Sequence, residues 1–369
     1  MNMPAPYRVE QFNRLAQSER FAFKVFFYTR SEPNRSWDAS EIERRIRFDH
    51  EFLDARPMRT RAGYSYFAPR FLVSLVAERP RSVIVAGFSF QLALALLYGA
   101  IFRAKVLVWS DSNILSEVRL PGWRSAVRRA MARRADAAIA CSSFGVDYFK
   151  FLGLPEEKIA VSRYVSEPLH MRETVRQLRG RRSELRRVAR VADDAVVILL
   201  PARLEPEKGC HEILHAVATV RSRVGVKLSL LVVGDGSQRE ELERMVWENE
   251  LQDTVVFAGF KEYWEMPRYF ALADLVALPS LEEPYGLVVN EALAAGVPVL
   301  CSKFAGASDL IRGRGCGIVM DPSDEQSLRE SLIEAVARLK SGEWPGGIAP
   351  PEEIYPEAAN AAIERALLL

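Results

Sequence analysis

The chain has 369 residues, more than one hydrophobic core usually covers, which predicts two domains of about 150 to 200 residues. With 49% hydrophobic and 27% charged residues, the composition is globular and excludes fibrous and disordered classes. The net charge of +2 conceals an uneven distribution, because residues 1–190 hold 34 Lys and Arg against 19 Asp and Glu, whereas residues 191–369 hold 16 against 29. A basic half next to an acidic half favours either an anionic partner for the first half or simply solvated faces.

In the N-terminal half, short apolar runs alternate with helical patterns. Strands are predicted at 21–29, 82–86, 105–110, 136–141 and 158–162, with helices at 38–54, 88–102, 121–134 and 143–152. Alternation of this kind indicates a parallel sheet covered on both faces, and it defines a first domain at residues 1–170.

Residues 83–102 form a stretch of twenty residues without a formal charge. A membrane span is one interpretation of this stretch. The favoured interpretation is a buried strand, a turn at Gly87 and a helix, because polar residues and Gly99 interrupt the apolar run.

The C-terminal half begins with a basic segment, residues 171–194, predicted to be a linker. A second series follows, with strands at 196–201, 227–233, 254–258, 274–279 and 297–302 and helices at 208–222, 237–250, 286–296 and 323–340. This series defines a second domain at 195–342, and a tail with a final helix, residues 343–369, is expected to cross back to the first domain. Ligands of such sheets bind beyond the carboxyl ends of the strands, here the loops after Leu200, Val233, Leu278 and Leu300.

One helix is predicted to be buried although it contains a carboxylate. It opens at Gly286 and is apolar on all sides apart from Asn290 and Glu291. An unpaired buried charge costs several kcal/mol, so Glu291 requires either a basic protein partner or a ligand with hydroxyl donors. The free N–H groups at the start of this helix, near Gly286, Leu287 and Val288, favour a bound diphosphate.

The segments that carry these features resemble a known family. Glu283 and Glu291, followed by Ala-Leu-Ala-Ala-Gly-Val-Pro-Val, resemble the paired-glutamate motif of family 4 glycosyltransferases, group 1 type. Residues 201–209, Pro-Ala-Arg-Leu-Glu-Pro-Glu-Lys-Gly, resemble that family's donor-phosphate loop, and 232–236, Val-Val-Gly-Asp-Gly, its next strand end. The resemblance implies the α/β GT-B fold, two facing Rossmann-like doubly wound domains with an interdomain cleft, and retaining transfer from a nucleotide diphosphate sugar.

The resemblance also implies roles for individual residues. Arg203 and Lys208 would neutralise the donor diphosphate, Glu283 would hold hydroxyls of the transferred sugar, and Glu291 would accept hydrogen bonds from the ribose. Further donor contacts are expected from Gly234, Gly236, Tyr285, Gly286, Leu287, Val288 and Gly306. No protein nucleophile, metal or other cofactor is expected, since the cationic side chains and the helix dipole would take the place of a metal.

The sequence departs from the family pattern at three places. Ala202 replaces a usual Gly, residues 305–309 read Ala-Gly-Ala-Ser-Asp where Gly-Gly and a later Glu are common, and the first domain lacks a histidine that many relatives carry. Trp-Ser-Asp-Ser-Asn, residues 109–113, stands at the place of the histidine. Asp111 is therefore the candidate for a catalytic contact on the acceptor side, with helix capping as the alternative.

Three other functions remain open from the residues alone. A protein of this fold can bind a nucleotide sugar without transferring it, or can epimerise it. Residues 211–215, His-Glu-Ile-Leu-His, match the zinc-peptidase spacing, which leaves a zinc hydrolase as a remote alternative through His211, Glu212 and His215.

Partners and location follow from charge and cysteine usage. The acceptor is expected to be a saccharide or a lipid-linked saccharide of bacterial surface polysaccharide or glycolipid synthesis, and no nucleic acid is expected. A basic helix at 120–134 carries Trp123, Val127 and Met131 along one side, which either packs inward or meets an anionic membrane. Four cysteines without close pairs, at 141, 210, 301 and 316, and no secretory segment favour a cytoplasmic protein. If the basic helix does meet an anionic membrane, the protein is expected to be peripheral on the inner face of the plasma membrane.

Overall fold

The computed structural model describes residues 1–17, 22–32, 37–60, 63–114, 121–165, 168–344 and 348–369. The chain divides into two compact units. Unit 1 comprises Met1–Val165 with Tyr355–Leu369, and unit 2 comprises Ser166–Ile354. Among the described helices, none has the length and apolar character that crossing a membrane requires.

Unit 1 is built around a parallel sheet. Its elements are α1 (Pro6–Leu15), β1 (Lys24–Phe27), α2 (Ala39–Arg44), β2 (Asp49–Phe52), β3 (Pro57–Thr60), β4 (Gly63–Tyr66), α3 (Arg70–Glu78), β5 (Ser82–Ala86), α4 (Phe90–Phe102), β6 (Lys105–Ser110), α5 (Gly122–Ala132), β7 (Ala137–Ala140), α6 (Ser143–Leu152) and β8 (Ile159–Val161). The parallel sheet has the order β5-β6-β7-β8, β1 pairs with β2 in parallel, and β3 with β4 forms an antiparallel hairpin. Buried aromatic residues of α4 and α6 pack against the central strands, which fixes this helical layer on the sheet.

Unit 2 is a second doubly wound unit. Its elements are α7 (Pro168–Arg179), α8 (Arg182–Val188), β9 (Val196–Pro201), α9 (Cys210–Val220), β10 (Leu228–Val233), α10 (Arg239–Glu248), β11 (Val255–Gly259), α11 (Met266–Leu272), β12 (Leu275–Leu278), α12 (Leu287–Ala294), β13 (Val299–Ser302), β14 (Gly317–Met320) and α13 (Glu325–Ser341). The strands are parallel in the order β11-β10-β9-β12-β13-β14. The strand order reverses between β9 and β12, and that reversal is where such sheets bind ligands. The last helix, α14 (Pro356–Leu368), returns to unit 1, where it packs against β7 and β8.

The predicted strands at 82–86, 105–110 and 196–201 coincide with β5, β6 and β9. The uncharged stretch 83–102 forms β5, a turn at Gly87 with a φ of +69°, and α4, which confirms the interpretation as strand, turn and helix. Phe21, at the start of the predicted strand 21–29, lies outside the described residues, and the strand itself covers Lys24–Phe27.

The predicted helix at 38–54 was wrong beyond its first turns. Asp38 does cap a helix, since its carboxylate accepts hydrogen bonds from the N–H groups of Ser40 and Glu41. The helix ends at Arg44, and the following residues form β2, which pairs with β1 in parallel register. Pairing with a distant strand therefore overrides the local helical pattern.

The basic segment predicted as a linker, 171–194, instead forms part of unit 2. Its arginines are used for internal pairing: Arg182 lies 2.6 Å and Arg186 2.7 Å from the two oxygens of Asp274, at the start of β12. Arg186 is buried and also donates to backbone carbonyls, including that of Leu272. This pairing attaches α8 to the sheet. In the tail, residues 345–347 lie outside the described part of the chain.

Candidate active site

Loops after β9, β10, β12 and β13 come together at the carboxyl edge of the unit 2 sheet. The Leu204 N–H donates to the carbonyl of Asp235 at 3.0 Å, joining the first two loops. The Leu281 N–H donates to the carbonyl of Glu207 at 2.9 Å, joining the first loop to the third. Backbone hydrogen bonds thus connect the loops at the edge of the sheet where the sequence predicts ligand binding.

Glycines allow these loops to approach closely. Gly234 has a φ of +146°, and a Cβ at that position would lie 1.8 Å from the carbonyl oxygen of Ala202. A Cβ at Gly236 would lie 2.5 Å from the carbonyl oxygen of Leu204. Both residues were predicted as donor contacts, and the structure shows that the loop packing itself requires glycine at both positions.

Lys208 and Glu283 form an ion pair at the meeting point of two loops. The Nζ atom of Lys208 lies 2.7 Å from Oε2 of Glu283, and the side chains are only 14% and 13% exposed. The buried hydroxyl of Ser280, which sequence reasoning missed, donates to the same oxygen at 3.4 Å. The backbone of Glu283 also forms a parallel bridge with Ala305, which places the loop after β13 beside the pair.

Arg203 is placed differently from Lys208 although both lie on the loop after β9. Its side chain is 45% exposed, and it lies 3.2 Å from Glu207 four residues later. An exposed pair of this kind is weak and leaves the guanidinium available to turn toward a ligand. Lys208 is therefore held in a mostly buried ion pair, whereas Arg203 lies on the surface of the same loop.

Gly286 is the N-cap residue of helix α12, and its φ of +94° favours glycine. In the described part of the chain no side chain caps this helix, so its first N–H groups, at half-buried Leu287 and Val288, are open to a ligand. The carbonyl of Tyr285 accepts a hydrogen bond of 2.7 Å from the N–H of Ala307. That bond keeps the turn that contains Gly306 next to the helix start.

Glu291 lies on α12 and is 8% exposed. Burial raises the pKa of its carboxyl group to about 8. The basic protein partner that sequence analysis allowed is not found among the described residues, none of which forms a salt bridge or hydrogen bond with this carboxylate. The group must therefore either hold a proton or receive hydrogen bonds from a ligand.

The histidines of the zinc-peptidase pattern have other neighbours. Nε2 of His211 lies 3.1 Å from Glu241, and its Nδ1 lies 3.2 Å from the side-chain amide of Gln238. Across the described ranges, no three His, Cys, Asp or Glu side chains lie together in a way that suits a metal ion. The zinc-peptidase spacing of residues 211–215 is thus not accompanied by a cluster of metal ligands among the described residues.

Asp111 lies in unit 1, just after β6. Its Oδ2 accepts a hydrogen bond of 2.9 Å from the hydroxyl of Tyr164, which follows β8. Sequence reasoning missed Tyr164, because nothing in the pattern of residues 159–165 distinguishes it from a loop tyrosine. The capping alternative concerns a helix that would follow this segment, and residues 115–120 lie outside the described part of the chain.

Comparisons with known proteins find similarity to glycosyltransferases. Residues 181–341 match the family model described as Glycosyl transferases group 1. An uncharacterized glycosyltransferase of Methanocaldococcus jannaschii is 34% identical over 39% of this chain and 36% of its own length. A GDP-mannose-dependent α-(1-6)-phosphatidylinositol monomannoside mannosyltransferase of Mycobacterium tuberculosis is 29% identical over 70% of this chain and 68% of its own. The chain thus spans about a third of the first relative and two thirds of the second.

Among solved structures, HepE of Anabaena in complex with UDP has a TM-score of 0.70 at 20% identity, covering 100% of this chain and 96% of that one. Two Rossmann-like units in one chain define the GT-B fold. Residues 181–341 thus resemble the group 1 glycosyltransferases, and this match falls on the unit that carries the paired glutamates.

Proposed function

We propose that this protein is a retaining glycosyltransferase that moves a sugar from a nucleotide diphosphate donor, held by unit 2, to a saccharide or lipid-linked saccharide acceptor. The observation that carries the proposal is the close pair of Lys208, on the loop after β9, and Glu283, on the loop that leads into α12, the helix that carries the buried carboxylate of Glu291. The UDP bound by HepE and the GDP-mannose named for the mycobacterial relative support a donor of this class.

The proposed chemistry needs charge stabilisation more than a nucleophile. The bond between the anomeric carbon and the diphosphate oxygen breaks, and the acceptor oxygen forms its bond on the same face. The departing phosphate oxygen takes the acceptor's proton. Lys208, Arg203 and the N–H groups at the start of α12 would stabilise the negative charge that develops on the diphosphate. With these groups in place, we propose that transfer requires no metal ion.

Glu283 and Glu291 would divide the recognition of the donor. Glu283 is fixed by Lys208 and by Ser280, so its second oxygen is held in one place for hydroxyls of the transferred sugar. Glu291 would accept hydrogen bonds from the ribose hydroxyls, which replaces the water that its burial removes. Gly234, Gly236, Tyr285 and Gly306 shape the surface between these groups.

For the acceptor, we propose a lipid-linked saccharide met by unit 1 at an anionic membrane, with the protein peripheral on the inner face of the plasma membrane. Helix α5 supports this location, because Trp123 is 65% exposed and Val127 is exposed beside Arg124, Arg133 and Arg134. The inward-packing alternative therefore fails for two of the three apolar residues of the predicted stripe, and only Met131 packs against the core. Leu120, where the predicted helix began, lies outside the described residues.

A donor panel tests the function directly. UDP-, GDP- and ADP-sugars are screened by thermal shift, since a ligand at a hundred times its dissociation constant stabilises a protein by about 2.7 kcal/mol. The donor that binds is then incubated with chelator present, and nucleoside diphosphate release is recorded with and without octyl glycosides as acceptors. Release of nucleoside diphosphate with a product of retained anomeric configuration supports the proposal. Binding without any release would favour the non-transferring alternative, and a changed sugar still attached to its nucleotide would favour the epimerase.

A further inference from the structure

A buried arginine in unit 1 lacks the partner that a buried charge usually has. Arg8 lies on α1 and is 4% exposed. Its Nη1 donates to Oε1 of Gln11 at 2.7 Å, and its guanidinium also forms hydrogen bonds with the side chains of Tyr164 and Cys141. No carboxylate of the described residues lies within salt-bridge distance of it. Cys141, which lies nearby, is also buried, and burial raises the pKa of its thiol to about 12, so it carries no compensating charge.

Aromatic rings take the place of the carboxylate. The guanidinium carbon of Arg8 lies 4.1 Å from the ring centre of Trp109 and 4.3 Å from that of Tyr164. Tyr7 meets the ring of Tyr164 edge-on at 5.4 Å. A desolvated cation close to the faces of two aromatic rings is attracted electrostatically by both. Arg8 thus fixes the plane and position of the Tyr164 ring.

Tyr164 in turn fixes a carboxylate. Burial raises the pKa of Tyr164 well above its ordinary value, so the phenol keeps its proton and donates to Asp111 at 2.9 Å. The neighbouring cation withdraws electron density from the phenol ring, which makes the hydroxyl a better donor. The bond occupies Oδ2 of Asp111, and none of the described residues donates a hydrogen bond to Oδ1.

We propose that Tyr164, held in place by Arg8, is a positioning residue that orients Asp111 so that its Oδ1 receives a hydroxyl of the acceptor saccharide. This inference rests on the proposed function, in which Asp111 is the polar contact on the acceptor side. The proposal gives helix α1 a role in acceptor recognition, because Arg8 on α1 contacts Tyr164 and Tyr164 contacts Asp111. Arg8 and Tyr164 themselves do not touch the acceptor.

Two measurements test the proposal. The first is the crystal structure of the Tyr164→Phe protein, which lacks only the hydroxyl. We expect Asp111 to leave its single orientation and occupy more than one conformer in that variant, and in Arg8→Gln as well. Tyr98→Phe is the matched control, because Tyr98 is a buried tyrosine of unit 1 whose hydroxyl donates to the carbonyl of Pro80 and not to a carboxylate. An unchanged Asp111 conformer in Tyr164→Phe overturns the proposal.

The second measurement is a double-mutant cycle on nucleoside diphosphate release, with octyl glucoside, octyl galactoside and octyl mannoside as acceptor probes. Loss of a hydrogen bond to a charged group is expected to raise the acceptor KM by about tenfold or more in Tyr164→Phe, with the donor KM unchanged. In an Asp111→Asn background the same change should add less than about twofold, because the two residues act as one unit. An undiminished effect in that background overturns the proposal.

The outcomes also separate this inference from the function on which it rests. If Asp111→Asn leaves release in the presence of every glycoside unchanged while Tyr164→Phe still frees the carboxylate in the crystal, the positioning stands and the acceptor role of Asp111 is wrong. If Asp111→Asn impairs transfer but Tyr164→Phe changes neither the conformer nor the KM, the acceptor role stands and the positioning is wrong.

Discussion

The ammonium group of Lys208 and the carboxylate of Glu283 lie 2.7 Å apart, although the two residues are separated by 75 positions and lie on loops after different strands. Each is mostly buried, so each depends on the other to offset the loss of hydration. The proposed donor diphosphate adds a second anion beside Lys208, and the same cation would then serve both stability and transfer.

The first prediction separates these two contributions. Lys208→Met leaves Glu283 buried without its cation and is expected to destabilise the protein by about 3–5 kcal/mol and to lower transfer by at least about a hundredfold. The double variant Lys208→Met with Glu283→Gln removes both charges, so it should recover much of the melting temperature but none of the activity. Melting curves and initial rates are the measurements.

The matched control is Lys227→Met, since Lys227 is an exposed lysine of unit 2 that lies 3.7 Å from Asp194. It should change neither stability nor rate beyond small effects. Full activity in the double variant would contradict the assignment of Lys208 to the donor site.

The second prediction concerns Glu291 and pH. The folded protein holds the proton of this carboxyl group up to about pH 8, whereas the ordinary value is 4.5. Between these values the folded state binds more protons than the unfolded state, so the free energy of unfolding falls as pH rises, at up to about 1.4 kcal/mol per pH unit. Glu291→Gln removes this pH dependence of the free energy of unfolding. The melting temperature of the variant, relative to that of the native protein, should therefore rise steadily from pH 5 to pH 8.

An exposed glutamate provides the comparison. Glu240→Gln, on the surface of α10, should show a pH-independent difference from the native protein. If the Glu291→Gln and Glu240→Gln proteins have parallel stability curves, the carboxyl group of Glu291 is not protonated in the folded state at neutral pH.

The third prediction follows from the same carboxyl group when the donor binds. Ribose hydroxyls donate to a carboxylate, so a donor that enters at pH 7 should displace the proton from Glu291 into the buffer. Calorimetric titration with the donor nucleoside diphosphate, in two buffers of different ionisation enthalpy, should reveal close to one proton released. Glu291→Gln should abolish the release. Equal binding enthalpies in both buffers would show that the ribose does not meet an ionised Glu291.

Sequence analysis identified those residues whose unfavourable burial or conformation can be recognised from their neighbours in the sequence. A buried carboxylate in an apolar helix and a glycine at a helix start can be recognised within fifteen residues, which is why Glu291 and Gly286 were found. The strands β5, β6 and β9 were found for the same reason, since a short apolar run with turn residues on both sides is a local signal.

The residues that were missed act through partners distant in sequence. Tyr164 acquires its role from Asp111, 53 residues earlier, and Ser280 acquires its role from the pairing of Glu283 with Lys208. The basic segment 171–194 was taken for a linker because its charge was visible while Asp274, its partner, was not. Local composition does not reveal which charges will meet.

The fourth prediction concerns the close approach of two loops. Gly234→Ala would bring a Cβ within 1.8 Å of the carbonyl oxygen of Ala202, so the loops must separate. We expect a loss of about 1–3 kcal/mol in stability beyond that of a matched variant, together with loss of the donor-induced thermal shift. The matched variant is Gly313→Ala, which also has a positive φ, +70°, but open space around the new methyl group. Equal losses in the two variants would mean that backbone strain alone, and not loop packing, requires Gly234.

The last prediction concerns the surface of α5. Trp123 and Val127 are exposed one helical turn apart, and Arg124, Arg133 and Arg134 lie exposed on the same segment. Each basic residue near an anionic bilayer contributes roughly 1 kcal/mol of attraction, and a tryptophan inserts at the interface. The protein should therefore sediment with vesicles of phosphatidylglycerol and phosphatidylcholine, and binding should weaken as salt rises through the physiological range.

Two variants and one control decide whether α5 is the binding surface. Trp123→Ser and the combined glutamine substitutions at Arg124 and Arg134 should each reduce sedimentation severalfold. Trp247→Ser is the matched control, because Trp247 is 73% exposed but lies on α10 among acidic residues, where attraction to an anionic surface is not expected. Binding that is equal with vesicles of phosphatidylcholine alone, or that Trp247→Ser reduces as much as Trp123→Ser, would show that the basic surface of unit 1 does not direct the protein to membranes.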